Sequence, residues 1–341
     1  MNNALLKELC LSNGISGDEN VIRDIIISEI KDYATDFKVD ALGNILVFKK
    51  GKEKSKNKVL LSAHMDEVGF IVTEITEDGL LKFDEVGGID RRVVLGDRVV
   101  VGNNISGVVG IKPVHLSKGD DQNKIPSYKD MYIDIGANDK NDALKYVSYG
   151  DSVSFKSFYQ NNEKTIISKA IDDRAGCSML VEMIKSELPY DMYFSFVVQE
   201  EVGLRGATTA AYTIKPDFAI VLEATTAADI PSVEESKQIC KVFGGAVVAF
   251  MDKRTIYDKE LIKKSFEIAK STGNKIQYKK AVAGGNDAGA IQKSCSGVRT
   301  IALSVPCRYL HSQLSLISID DYNSTFNIAF ELAKVVSGGE L

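Results

Sequence analysis

The sequence predicts an α/β fold of three layers, helices covering both faces of a mostly parallel sheet, with a small β-rich domain inserted into it. Three observations carry this prediction. Apolar strand-like runs alternate with amphipathic helical segments near the N-terminus and again after residue 163. Between them lies a stretch of short β-like runs broken by turns. The length, 341 residues with 44% apolar and 26% charged side chains, suits one large domain or two smaller ones and not a disordered chain. The predicted boundaries are 1–67 with 163–341 for the discontinuous α/β domain and 68–162 for the insertion.

The elements follow in order. Ser16 and Glu19 have capping-box spacing, and Ile22, Ile25, Ile26 and Ile30 continue with helical periodicity. Val39–Asp40, the turn Leu42-Gly43-Asn44 and Ile45–Phe48 read as a hairpin. Val59–Ala63 is a short apolar strand. Phe70–Ile75, Leu80–Phe83, Arg98–Val101, Val108–Ile111, Tyr132–Ile135 and Ser152–Phe155 suggest a small barrel or sandwich, with one short helix at Asp139–Tyr146. Gln160–Lys164 reads as a polar linker. Beyond it, helices at Asp173–Leu188, Leu204–Tyr212, Lys259–Ser271 and Asp287–Lys293 alternate with strands at Met192–Val198, Phe218–Leu222, Ala246–Met251 and Arg299–Val305. Ser318 and Asp321 are spaced to cap a last helix through Val336.

Composition excludes several function classes. Lys+Arg at 42 against Asp+Glu at 47 gives a net charge of -5, without the basic excess that nucleic acid requires. No apolar run approaches the ~20 residues of a membrane span. The N-terminus lacks a signal-peptide pattern, so a soluble, cytoplasmic protein is expected. The five cysteines are scattered without a C-x-x-C pair, which argues against a disulfide framework or a thiolate zinc site.

The chemistry gathers at strand ends, where open α/β sheets bind ligands. Val59–Ala63 ends at His64 and Asp66. Met192–Val198 ends at Glu200 and Glu201, and Phe218–Leu222 at Glu223. A helix opens with Asp172-Asp173, and the strand after Arg299 leads to His311. Each is weak alone, but together such carboxylates would repel one another unless neutralised. Nitrogen and carboxylate ligands without thiolate suit zinc, cobalt or manganese. Two ions can share the set: His64, Asp172 and Glu223 for one, and Asp172, Glu201 and His311 for the other, with Asp172 bridging. Glu200 is left over beside a ligand and reads as a general base. Asp66 is placed to accept the other imidazole N–H of His64.

In this order the segments AHMDEVGF, KAIDDRAG, QEEVGLRGA, EATTAADIP, GGNDAGA and RYLHS resemble the tetrahedral-type dinuclear metalloaminopeptidases, a group also known as cellulase M or glutamyl aminopeptidase. The resemblance covers essentially the whole chain. It implies a zinc-peptidase-like catalytic domain with an inserted barrel for dimer contacts. It also implies dimers assembled into a dodecamer, and short peptides as substrates. It places His64, Asp172, Glu201, Glu223 and His311 on metal ligands, Asp66 on the partner of His64, and Glu200 on the base. Many members have Asp where this chain has Glu223, a longer arm that bears on metal preference. Gly285 and Asp287 fall near the substrate end, with Asp287 read either near the substrate amine or as the start of a helix. His115 lies in a loop that some members place near a neighbouring subunit's site, and a structural role there is the alternative. Asp229 and Pro231 read as shaping the turn after Glu223, and Arg91-Arg92 as surface.

Two competing readings remain. A glycoside hydrolase needs two carboxylates, but not His64, His311 or a third acid, and the chain has no Trp to serve as a sugar platform. A non-catalytic peptide-binding or assembly protein of the same fold would be marked by loss of a ligand or of the base, and none is lost.

Overall fold

The computed structural model describes residues 1–116, 124–156 and 158–341. Residues 117–123 and 157, within the predicted 68–162 insertion, lie outside the described residues.

Helices α1 (Asn3–Leu11) and α2 (Asn20–Ile30) open the chain. Their buried faces, Leu5, Leu6 and Leu9 on one and Ile22, Ile26 and Ile30 on the other, recur at helical spacing. The Ser16–Glu19 capping box does not form, and α2 starts without a side-chain cap. Ser16 Oγ donates instead to Asp66 Oδ2 at 2.5 Å. Glu19 accepts the N–H groups of Gly17 and Gln199. Tertiary partners have outcompeted the local cap. The hairpin β1 (Asp36–Val39) and β2 (Ile45–Lys49) forms as expected, its turn held by Asp40 Oδ1 accepting from the backbone of Leu42, Gly43 and Asn44.

Strand β3 (Val59–His64) is buried at every residue. It leads into a closed barrel of β4 (Gly69–Ile75), β5 (Leu81–Val86), β6 (Arg98–Val101), β7 (Ile105–Ile111), β8 (Met131–Asp134) and β9 (Ser152–Phe155), ordered β4-β5-β8-β7-β6-β9. Phe70 sits at its centre, edge-on to Phe83 (ring centroids 5.0 Å apart) and to Phe155 (5.4 Å). The short helix α3 (Lys140–Ala143) is capped by Asp139.

The expected linker at Gln160–Lys164 is a strand. β10 (Gln160–Asn162) pairs with β11 (Thr165–Ser168) at one edge of the sheet. The chain continues through α4 (Ile171–Lys185), β12 (Met192–Val197), α5 (Arg205–Ile214), β13 (Phe218–Thr226), β14 (Ala246–Val248), α6 (Lys259–Thr272), β15 (Ile276–Tyr278), α7 (Ala288–Ile291), β16 (Arg299–Arg308), β17 (Ser315–Ser318) and α8 (Ile319–Ser337).

Among the described residues, an 11-stranded sheet runs β1-β2-β12-β3-β13-β16-β17-β11-β10, with β14 and β15 branching from β16. The expectation of a mostly parallel sheet needs correction. Only the centre, β12-β3-β13-β16, and the β14–β15 pair are parallel; the outer pairings are antiparallel. The parallel strands are covered on both faces and read as continuous apolar runs, whereas the antiparallel margins carry polar residues that hide their strand character. Helices α4 and α8 pack on β3, β13 and each other, and α5 and α7 pack together over β12, β13 and β16, giving three layers. The parallel centre brings the carboxyl ends of four strands to one edge, where β3 also leaves for the barrel.

Candidate active site

Each arm of the site comes from one of those ends. β3 finishes at His64, two residues before Asp66. After β12 the chain turns through Gln199, held at φ +57°, into Glu200 and Glu201. β13 runs four residues beyond the predicted Leu222, so Glu223 stands within the strand. Asp172 and Asp173 open α4. His311 follows β16, at φ +57°. His64, Asp172, Glu200, Glu201, Glu223 and His311 all line one cavity of ≈ 300 Å³.

The two imidazoles fix the chemistry. His64 Nδ1 lies 3.0 Å from the backbone carbonyl of Asp66. His311 Nδ1 lies 2.9 Å from the carbonyl of Gly88, in the barrel. A carbonyl only accepts, so Nδ1 carries the hydrogen in both rings and Nε2 faces the cavity. His64 Nε2 is 3.4 Å from Asp172 Oδ1 and 3.7 Å from Glu223 Oε2. His311 Nε2 is 3.4 Å from Asp172 Oδ2 and 3.2 Å from Glu201 Oε1. Asp172 thus sends one oxygen to each ring. Asp172 Oδ1 and Glu223 Oε1 are buried without a hydrogen-bond donor. With the Nε2 proton displaced, these imidazole nitrogens and carboxylate oxygens match the donor set of divalent zinc, cobalt or manganese. His64, Asp172 and Glu201 set ligand atoms within 4.8 Å of one another, as do His64, Asp173 and Glu223.

Charge shifts follow from this crowding. Burial disfavours the charged form of His64, but Asp172, Asp66 and Glu223 overcome it and hold the ring well above 6.5. His311, also opposed by burial, is pushed up to about 11 by Asp172 and Glu201. Against its own burial, Asp172 is held below the usual carboxylate range by both imidazoles. Burial drives Glu200 well above that range, with His64 opposing and Asp287, Glu201 and Asp66 adding to it. Glu223 is raised mainly by burial too.

Asp66 does more than face His64. Its carboxylate lies 3.5 Å from Nδ1, farther than its own carbonyl, and it also accepts the N–H groups of Glu200 (3.0 Å) and Glu201 (3.1 Å). It therefore ties the turn bearing Glu200 and Glu201 to the strand bearing His64. Asp173, which the sequence offered beside Asp172 without a role of its own, turns its carboxylate to the N–H groups of His64 and Gly176. The adjacent acids of KAIDDRAG were the available signal.

Of the remaining residues, Gly285 lines the cavity, and a Cβ there would meet Arg254 Cγ at 2.4 Å. Asp287 is fully buried at the start of α7, caps nothing, and neither carboxylate oxygen has a partner. His115 is exposed in a single turn of the barrel domain and does not line the cavity. Asp229 forms a bidentate pair with Arg308, and Arg92 pairs with Asp90 on the surface. The cavity wall adds Ile239, Val247, Ala249, Leu310 and Lys279. No periodicity in the sequence marks these, because they come from unrelated loops and strand ends.

The family model of the M42 glutamyl aminopeptidases matches residues 43–328. A protein of Acetivibrio thermocellus whose name gives it an inferred aminopeptidase activity is 40% identical, over 96% of this chain and 97% of its own. The lysyl aminopeptidase of Pyrococcus furiosus is 31% identical (97% and 96% covered), and the glutamyl aminopeptidase of Lactococcus lactis is 31% identical (93% and 91%). Among solved structures, the TET aminopeptidase of the marine archaeon Thaumarchaeota archaeon SCGC AB-539-E09 superposes with a TM-score of 0.93 at 34% identity (97% and 95% covered). The TET1 peptidase of Pyrococcus horikoshii, which can assemble into a tetrahedron or a large octahedral shell, gives 0.85 at 37% identity (98% and 99%). The chain belongs to the M42 glutamyl aminopeptidase family and is an aminopeptidase, of a family whose peptidases depend on metal.

Proposed function

We propose that this protein removes N-terminal residues from short peptides at a dinuclear metal centre. His64, Asp172 and Glu223 would hold one ion, and Asp172, Glu201 and His311 the other. The observation that carries this reading is the pair of imidazole Nε2 atoms, each set against two carboxylate oxygens with Asp172 common to both. When bound, two divalent ions supply Lewis acidity at the scissile carbonyl and lower the pKa of the attacking water.

The chain's own groups do the rest. Glu200 takes a proton from the attacking water and returns it to the leaving amine nitrogen as the C–N bond breaks. Its burial favours holding that proton between the two steps. Asp66 keeps His64 and the Glu200–Glu201 turn in register. Asp287, buried and unpartnered, supplies negative charge for the substrate's α-ammonium, and Gly285, two residues away, lines the cavity against Arg254. Lys279 Nζ donates to the Ala283 carbonyl at 3.2 Å on the cavity wall and favours an acidic N-terminal side chain over a basic one. His115, out on the barrel, is left to a contact between subunits.

Exposed Val93, Leu95 and Val108 in the barrel domain support its use as the contact in a homo-oligomer built from dimers, a dodecamer by likeness to the TET shells. Five free cysteines, Cys295 exposed, support a reducing cytoplasmic location. No helix among the described residues is long and apolar enough to cross a membrane.

The test is a panel of aminoacyl p-nitroanilides with carboxymethyl-cellulose in parallel, each run with chelator and with zinc, cobalt or manganese restored. The expected result is metal-dependent release from the aminoacyl panel, acidic residues ranking above basic ones, and cellulose untouched. Full activity after exhaustive chelation would overturn the metal reading, and cellulose cleavage would overturn the peptidase one.

A further inference from the structure

The Ser16–Glu19 turn, whose side chains leave their expected place at the cap of α2, makes two contacts that converge on the catalytic arms. Ser16 Oγ donates to Asp66 Oδ2 at 2.5 Å. The same oxygen accepts the Glu201 N–H, while Oδ1 accepts that of Glu200. Glu19 Oε1 accepts the N–H of Gln199 at 3.1 Å, and Glu19 is 4% exposed. Gln199 is a non-glycine residue in the left-handed region, a conformation that persists only where surrounding contacts enforce it.

Three successive amides, of Gln199, Glu200 and Glu201, are therefore fixed by two carboxylates, and Ser16 fixes one of those carboxylates. The turn itself is anchored on Glu67 and on Ser152. Glu67 N–H donates to the Gly14 carbonyl, Ile15 bridges to Glu67, and the Ser152 hydroxyl of β9 donates to Asp18.

We infer that Ser16 and Glu19 are positioning residues for the aminopeptidase reaction, acting through Asp66 and Gln199 to aim Glu200 and Glu201. Neither touches the cavity. Ser16 limits the orientations open to the Asp66 carboxylate, and Glu19 holds the backbone of Gln199 at the angle that delivers Glu200. This inference rests on the proposed roles of Glu200 and Glu201, and its test keeps the two separable.

The experiment uses the full chain with Ser16→Ala and Glu19→Ala, and with Ser16→Thr and Glu19→Gln as conservative counterparts. Three quantities are read: zinc affinity by competition with a chromogenic chelator, kcat and KM on the best aminoacyl substrate, and the melting temperature of the metal-free protein. Partners of this kind are typically worth roughly 10–100-fold in metal affinity or activity. Ser16→Ala should weaken zinc binding and lower kcat in that range with KM nearly unchanged. Glu19→Ala should lower kcat more than zinc affinity. Ser16→Thr and Glu19→Gln should recover most of each loss, since both keep the hydrogen-bonding atom. Zinc affinity and kcat at wild-type levels in both alanine variants would overturn the inference, as would losses that track a fall in melting temperature and are not rescued. Weakened zinc binding in Ser16→Ala, beside a wild-type protein inactive on every peptide, would sustain the brace and sink the peptidase reading instead.

Discussion

Asp66 and Glu67 are neighbours in the chain, yet they belong to two buried charge clusters of different character. Glu67 accepts both of its short contacts from Lys169 Nζ, at 2.6 and 2.8 Å, and another from the Gly14 N–H. Arg174 adds a contact at 3.5 Å and donates through its two terminal nitrogens to the carbonyls of Leu9 and Gly14, while its Nε is buried without an acceptor. The one acid is fully matched there by two cations, and the cluster stitches the end of α1 to the start of α4. On the other side of the same peptide bond, Asp66, Asp172, Glu200, Glu201, Glu223 and Asp287 crowd around His64 and His311. Asp172, Glu223 and Asp287 each keep an oxygen with no donor. The acid of the first cluster has its cations within the chain; the acids of the second outnumber theirs, an imbalance of the kind that marks a binding site rather than a structural ion pair.

The largest expected effect lies on the unmatched side. Glu200→Gln keeps the shape and every ligand but cannot carry the proton. It should bind metal as the wild type does and lose about 10²–10⁴ in kcat. A rate within a fewfold of wild type would remove Glu200 from the role of base.

Next come substitutions that set the two clusters against each other in the metal-free protein. Lys169→Met takes both short contacts from buried Glu67 and leaves it Arg174 at 3.5 Å, which should cost up to about 3–5 kcal/mol of stability. Glu223→Gln removes a carboxyl whose ionisation burial opposes and whose Oε1 lacks a donor, and should raise stability, by up to about 1–3 kcal/mol. Shifts of the urea midpoint read both. Movement in the same direction would mean that the clusters do not differ as described.

The smallest effect is a pH slope. Burial raises the Asp287 carboxyl from 3.8 to about 7, with His64 opposing and Asp66, Glu201 and Asp172 adding to it. The folded protein then holds this proton more tightly than the unfolded chain. The stability it contributes is complete below the unfolded value and is lost as pH rises through about 7. Metal-free Asp287→Asn should therefore lose less melting temperature than wild type between about pH 5 and about pH 8. Parallel slopes would show that the carboxyl finds a partner.

Much of this was legible in the sequence. The strands of the barrel read directly because apolar residues such as Val99 and Val101 alternate with turns. The strand ends were legible because β3, β13 and β16 are buried on both faces and stop at polar residues. One margin was not: β10 is Gln-Asn-Asn, with no apolar face to betray a strand, and it exists because β11 offers it a ladder. Ser16 and Glu19 were legible as a pair at the right spacing but not in their use, since a local cap and a tertiary brace call for the same residue types. The role of Gly88 in holding His311 left no trace at all. It comes from a backbone carbonyl, and any residue supplies one.

The central claim is that the unmatched carboxylates and two imidazoles hold two ions with Asp172 shared. Zinc bound per chain, measured by elemental analysis after dialysis for wild type, His64→Ala and His311→Ala, tests it most directly. The wild type should bind two ions, and each variant should lose tight binding at one site. A single ion in the wild type, or an unchanged count in either variant, would contradict it.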